Sequence, residues 1–202
     1  MSPSPAPTPG FDTRYSRVAI GLHWLIAVAI IGSFSVGLYM VDLPLSPQKL
    51  RIYSWHKWAG VTIFLCVVLR LGWRLLHTPP ALPAAMPAWQ RNIAGATHIL
   101  LYLLMVAVPI SGWLMSSAKG FQTVWFGVLP LPDLLDKDKE LGDLLQQLHM
   151  LLNFSMAALV VAHFGAALKH HFSDRDEVLA RMIPFLGTAS GEMVWTPPTP
   201  ER

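Results

Sequence analysis

Residues 144–168 read LLQQLHMLLNFSMAALVVAHFGAAL, 25 residues without an Asp, Glu, Lys or Arg. A helix needs about 20 apolar residues to cross a hydrocarbon core roughly 30 Å thick, so this stretch is long enough to span a bilayer. It also carries two histidines, His149 and His163. Histidine inside a bilayer is costly enough that a function is its default explanation. The two are 14 residues apart. On a helix that spacing puts them within about 40° of one face and about 21 Å apart along the axis.

Two further charge-free stretches match the first: Val18–Val41 with 24 residues and Asn92–Ala118 with 27. A fourth, Trp58–Leu69, has 12 residues and continues past Arg70 and Arg74 to Leu76, giving 19. Arginine stems near one end of a span can reach the headgroups. The sequence therefore predicts an all-α integral membrane protein. Its architecture is a four-helix transmembrane bundle with helices over about 17–41, 54–77, 91–116 and 144–170. Composition agrees: 53% of the 202 residues are hydrophobic and 13% charged, where a soluble domain carries about 25% charged residues. A soluble helical core would need helices apolar on every face, which is rare in so small a chain. The first span exceeds the apolar core of about 7–15 residues of a signal peptide. The Pro-rich segment 1–16 reads as a disordered tail and 185–202 as a flexible one, leaving 17–184 as the bundle.

Cys66 is the single cysteine. That excludes an internal disulfide and an all-cysteine metal site, and the lack of CxxCH excludes covalently attached haem. The net charge of +3 and pI of about 9.2 would suit a polyanionic partner, but topology explains them without nucleic acid. With both termini on one side, that side holds Arg14, Arg17, Arg70, Arg74, Arg91, Lys169, Arg175, Arg181 and Arg202, nine basic residues against six acids. The other side holds Lys49, Arg51, Lys57, Lys119, Lys137 and Lys139, six against six. The positive-inside rule then puts both termini in the cytoplasm. The longest outer loop, 119–143, contains Pro130, Pro132 and DLLDKDKE. It reads as a structured turn or short surface helix, with docking of a periplasmic partner as the alternative. No phosphate-binding glycine motif is present, and nucleotide chemistry is not expected.

Four histidines lie within the spans: His23 in the first, His56 at the start of the second, His149 and His163 in the fourth. Helix direction places His23 and His163 in the inner leaflet and His56 and His149 in the outer. Two pairs at two depths, roughly 20 Å apart, suit two haems, since neutral imidazole is a good iron ligand. Gly21, Gly32, Gly37, Gly60, Gly165, Ala166 and Ala167 offer room for such groups, although small residues also serve helix packing. Zinc would want three or four ligands at one depth, and these four supply two at each. A transporter with a histidine proton relay is a further reading, and it predicts no haem. His98, early in the third span, could replace His23 as partner to His163, and periodicity does not choose between them. His77 reads as interfacial. His170 and His171 read as a solvated helix end favoured by the dipole, with a protonatable group at a quinone site as the second reading for His170.

The segments RYSRVAIGLHWL, WHKWAG, RLGWRL, HILLYLLMVAVPISGWLM, LHMLLNFSMAALVVAHFGAALKHHF and LARMIP carry a resemblance. Together they resemble the bacterial cytochrome b561 family of small di-haem, quinone-linked membrane proteins, over Arg14–Pro184, 171 of the 202 residues. The likeness is closest to superoxide-oxidising members from enteric bacteria. The resemblance implies a bacterial inner-membrane protein with two non-covalent haems b. One would be held by His23 and His163, the other by His56 and His149. It further implies ubiquinone as electron acceptor, with His170 on the quinone side, and superoxide as donor at the outer face. Lys57 and Lys119 are candidates for steering that anion, and Arg70 and Arg74 for pairing with haem propionates. The alternative function is a membrane anchor and electron-transfer subunit for a separate dehydrogenase, hydrogenase or soluble cytochrome.

Overall fold

Three of the four spanning helices start where a side chain takes up an orphan backbone N–H. Ser16 accepts from the Ala19 N–H (3.2 Å) and opens α1, Arg17–Val41. Ser46 accepts from the Lys49 N–H (3.2 Å), and Pro47, with its preset φ, begins α2, Pro47–Leu76. α3 runs Ala88–Ala118 with Pro109 inside it. Asp138 accepts from the Leu141 N–H (3.0 Å) and opens α4, Lys139–Lys169. A single π-helical turn, His170–Asp174, ends α4, closed by Arg175 at a positive φ of 52°. The computed structural model describes residues 15–81, 86–176 and 178–183. The expected tails 1–16 and 185–202 lie outside the described residues, apart from Tyr15 and Ser16.

Three helices outrun the apolar spans that predicted them. α2 begins at Pro47 rather than about 54, α3 covers 88–118 rather than 91–116, and α4 begins at Lys139 rather than 144. Absence of charge marks only where a helix meets hydrocarbon. The caps lie beyond that, in the charged interface. Loop 119–143 takes the structured-turn form of its two readings: it holds a small hairpin, β1 (Val124–Trp125) paired antiparallel with β2 (Leu129–Pro130). Phe126 and Gly127 take φ of 50° and 72° at its turn, the two positive values that match the twist of a hairpin.

All four helices are long and apolar enough to cross a membrane. Their exposed faces are aliphatic, with Val28 66%, Leu69 63% and Val161 72% exposed. These are lipid-facing surfaces, and the protein sits in a bilayer. The small core lies between the first three helices, where Val67 is fully buried against Ile26 and Ile63 with Ala29, Cys66 and Met105 beside them. Consecutive helices pack together, α1 on α2, α2 on α3 and α3 on α4. No comparable backbone packing joins α4 to α1 or α2 among the described residues. The bundle therefore stays open along one side, with α4 facing α1 and α2 across a gap.

Candidate haem sites

Histidines bridge that gap at two levels. At the hairpin end, the rings of His56 (α2) and His149 (α4) have centroids 6.4 Å apart and planes at 89°. Two imidazoles on opposite sides of one metal ion, with metal–nitrogen bonds of about 2.0–2.1 Å, have centroids a little over 6 Å apart. The space between the rings is a metal ion's width. The far side of each ring is held. His149 Nδ1 lies 3.1 Å from the Val108 carbonyl and 3.0 Å from Ser111 Oγ. Ser111 itself donates to the same carbonyl at 2.8 Å. An Nδ1–H donated to a carbonyl fixes the tautomer and leaves Nε2 as the ligating atom. His56 Nδ1 lies 3.3 Å from Ser33 Oγ. Glycines let both rings approach: a Cβ on Gly112 would stand 3.0 Å from His149 Cε1, and one on Gly37 would stand 3.3 Å from His56 Cε1. The cleft between the rings is walled mostly by apolar residues, Ile30, Phe34, Ile63, Met105 and Met156 beside Gly60, with Asn153 as a further polar lining residue.

At the termini end, His23 (α1) and His163 (α4) repeat the spacing, with centroids 6.4 Å apart and planes at 75°. His98 (α3) also reaches His163, but at 5.3 Å and 68°. Between the two levels Phe34 and Phe154 meet edge to face at 5.7 Å. The ring separation is the same at both levels, while the largely apolar walls and the glycine clearance belong to the hairpin-side level. A donor set of imidazoles in such a cleft fits b-type haem.

The family model for prokaryotic cytochrome b561 matches residues 14–185. The chain belongs to the prokaryotic cytochrome b561 family. It is accordingly a membrane electron-transfer protein that binds b-type haem. It is 37% identical over 172 residues to cytochrome b561 homolog 2 of Escherichia coli, covering 84% of this chain and 91% of that protein. It is 28% identical over 174 residues to cytochrome b561 homolog 1 of the same organism, covering 85% of this chain and 97% of that protein. It is 30% identical over 175 residues to the probable superoxide oxidase CybB of Yersinia pestis, covering 85% of this chain and 96% of that protein.

The remaining polar residues of this cytochrome are placed more variously. Arg70 turns into the bundle: its Nη1 donates to the Ala19 carbonyl at 2.6 Å and its Nε to the Tyr102 hydroxyl at 3.2 Å. It thereby ties α1, α2 and α3 together one turn before His23. Arg74 lies 5.8 Å over the Tyr102 ring, a cation–π distance. Lys57 donates to the Phe121 carbonyl at 2.8 Å, and Trp58 Nε1 donates to the Val124 carbonyl at 2.6 Å, so the hairpin and the loop before it rest on the side of α2, well inside the helix. Lys119 pairs with Asp143 (3.2 Å) and also donates to Gln146. His170 Nδ1 faces Asp176 (2.7 Å) and Asp174 (3.2 Å). His77 stacks on Trp73 at 3.9 Å.

Sequence reading missed Ser33, Ser111, the Val108 carbonyl, Tyr102 and Asp176. Serine in a span is common, and a carbonyl carries no sequence signal. The one legible trace was PISG at 109–112, a proline, a hydroxyl and a glycine clustered in the third span.

Proposed function

We propose that this cytochrome carries two haems b, one between His23 and His163 and one between His56 and His149, and passes electrons from superoxide at the hairpin face to ubiquinone at the termini face. The observation that carries the reading is the repeated 6.4 Å histidine gap at two levels of α4. The nine-to-six bias of basic residues supports cytoplasmic termini and a bacterial inner-membrane location, with the hairpin outside. The probable superoxide oxidase among the relatives supports the choice of donor.

In the overall reaction two superoxide anions each lose one electron and leave as dioxygen, while ubiquinone takes those two electrons and two protons to become the quinol. When bound, the haems supply one-electron carriers at two depths, which lets a one-electron donor serve a two-electron acceptor. The chain does the rest. Lys57, next in sequence to His56, keeps a positive charge near the hairpin-side site while its ammonium is held by loop carbonyls. Lys119 is neutralised by Asp143 and contributes little net attraction for an anion. At the termini end, the Asp176 contact holds His170 Nδ1, leaving Nε2 to hydrogen-bond a quinone oxygen and hand it a proton. Arg74, and the part of Arg70 not spent on Ala19 and Tyr102, are the partners for propionates, with the Tyr102 hydroxyl as a further donor.

The test is direct. Purified protein is mixed with a steady source of superoxide and a short-chain ubiquinone, and quinol is followed optically. Quinol should form faster than with superoxide alone, and in proportion to protein. Absence of acceleration by protein containing both haems would remove the superoxide reading. One feature favours a subunit role instead: the hairpin tip exposes Phe126, Val128 and Leu129, an apolar patch that a redox partner could cover. Co-purification with such a partner, with no quinol formed alone, would select that reading.

Ser111→Ala offers a milder check of the hairpin-side assignment. Loss of an outer partner of a ligating histidine typically costs about 10–100-fold in metal affinity. The expected result is faster haem loss from one of two sites, read by transfer to an apo-globin acceptor.

A further inference from the structure

Three imidazoles converge at the termini-side level, from α1, α3 and α4, where the hairpin-side level has two. His98 is the extra one. Its ring meets His163 edge-on at a centroid distance of 5.3 Å, against 6.4 Å for His23 and His163. The two distances mean different things. A trans pair on one metal ion has centroids a little over 6 Å apart. Two imidazoles sharing a hydrogen bond of about 2.9 Å between ring nitrogens have centroids roughly 5 Å apart. The three rings do not close into a tetrahedral site. Among the described residues, the one set of three metal-ligating side chains with all ligand atoms within 4.8 Å is His170, Asp174 and Asp176.

The hairpin-side ligands show what is missing at this level. His149 and His56 have Nδ1 facing Val108, Ser111 and Ser33. Among the described residues His163 makes no hydrogen bond through either ring nitrogen, and its ring meets that of His98 edge-on without one. A ligating imidazole needs an acceptor for its second ring N–H to fix its tautomer and raise its donor strength. His98, 5.3 Å away in α3, the helix packed directly on α4, brings an imidazole acceptor to His163 that a turn of either ring would engage.

We propose that His98 is a positioning residue for the termini-side haem, accepting the non-ligating N–H of His163 through its own ring nitrogen. It rests on the reading that His23 and His163 hold that haem. The two haems are then tuned differently: serine and carbonyl oxygen stand behind the hairpin-side ligands, and a polarisable imidazole stands behind His163. An imidazole acceptor makes His163 the stronger donor, which favours ferric iron.

The test compares His98→Leu, His98→Gln and His163→Ala in the full-length holoprotein, by haem content, low-temperature electron paramagnetic resonance and redox titration. The hairpin-side haem in each sample reports that the bundle is folded. His98→Leu should keep two low-spin haems, raise the midpoint potential of the termini-side haem alone and shift its largest g value. His98→Gln, whose amide oxygen can accept a hydrogen bond, should restore most of the shift. Loss of the termini-side haem in His98→Leu, as in His163→Ala, would make His98 a ligand and overturn the proposal. An unchanged spectrum and potential would overturn it equally. Retention of both low-spin haems in His163→Ala would instead remove the underlying ligand assignment.

Discussion

Replacing His149 with alanine is expected to reduce the protein from two haems per chain to one and to stop electron flow from the hairpin face. The argument is geometric. His149 faces His56 with ring centroids 6.4 Å apart and is fixed from behind by Val108 and Ser111. Alanine removes one of two iron ligands, and no other histidine of the described residues stands at that level to replace it. The loss should exceed the roughly 10–100-fold typical of an outer partner. His163→Ala, 14 residues further along the same helix, should remove the other haem and leave this one. Pyridine haemochrome assays against protein concentration give the stoichiometry. The residual low-spin signals of the two variants should be complementary, each showing the set the other lacks. Identical residual signals would defeat the assignment of two independent pairs.

The second large effect comes from a residue with no chemistry of its own. Gly112→Val is expected to damage the hairpin-side site almost as severely as losing a ligand. A Cβ at Gly112 would stand 3.0 Å from His149 Cε1 and 3.4 Å from its Nδ1. The ring cannot retreat without leaving the Val108 carbonyl and the Ser111 hydroxyl. Overpacking of this kind costs about 1–3 kcal/mol, which corresponds to roughly 5–150-fold in retention of the group the ring holds. Gly72→Ala is the control, because a Cβ there meets nothing within 4 Å, and alanine favours a helix by about 1 kcal/mol over glycine. Haem retention on gel filtration in detergent should fall for one haem in Gly112→Val and for neither in Gly72→Ala. Equal retention in both would mean that the clearance at Gly112 is not what seats His149.

The residues behind these predictions differ in how they could be known. Residues 144–168 announced a spanning helix by lacking charge, and His149 and His163 announced two levels by a separation that any α-helix converts to distance. Helix ends were less legible, because Ser46 and Asp138 act as caps beyond the apolar run. Arg70 was read as reaching towards headgroups or propionates, and the structure adds two bonds that the sequence did not show, to Ala19 and Tyr102. Nothing in the neighbourhood of Arg70 in the chain indicates a carbonyl in another helix.

Depth is therefore what the sequence by itself determined: four spans and the relative level of each histidine along them. Hydrophobicity along one chain measures distance across a bilayer, since each residue of a straight helix advances by a constant rise. Azimuth and separation between helices belonged to the tertiary structure. The family resemblance pointed to His23 as partner of His163, and packing set the distances, 6.4 Å for His23 and 5.3 Å for His98, and held α4 off α1 and α2 while gripping α3. His23 and His98 share a depth and a residue type, so no one-dimensional pattern separates them. About 1 Å of ring-to-ring distance does, and that distance is set by which helix faces which.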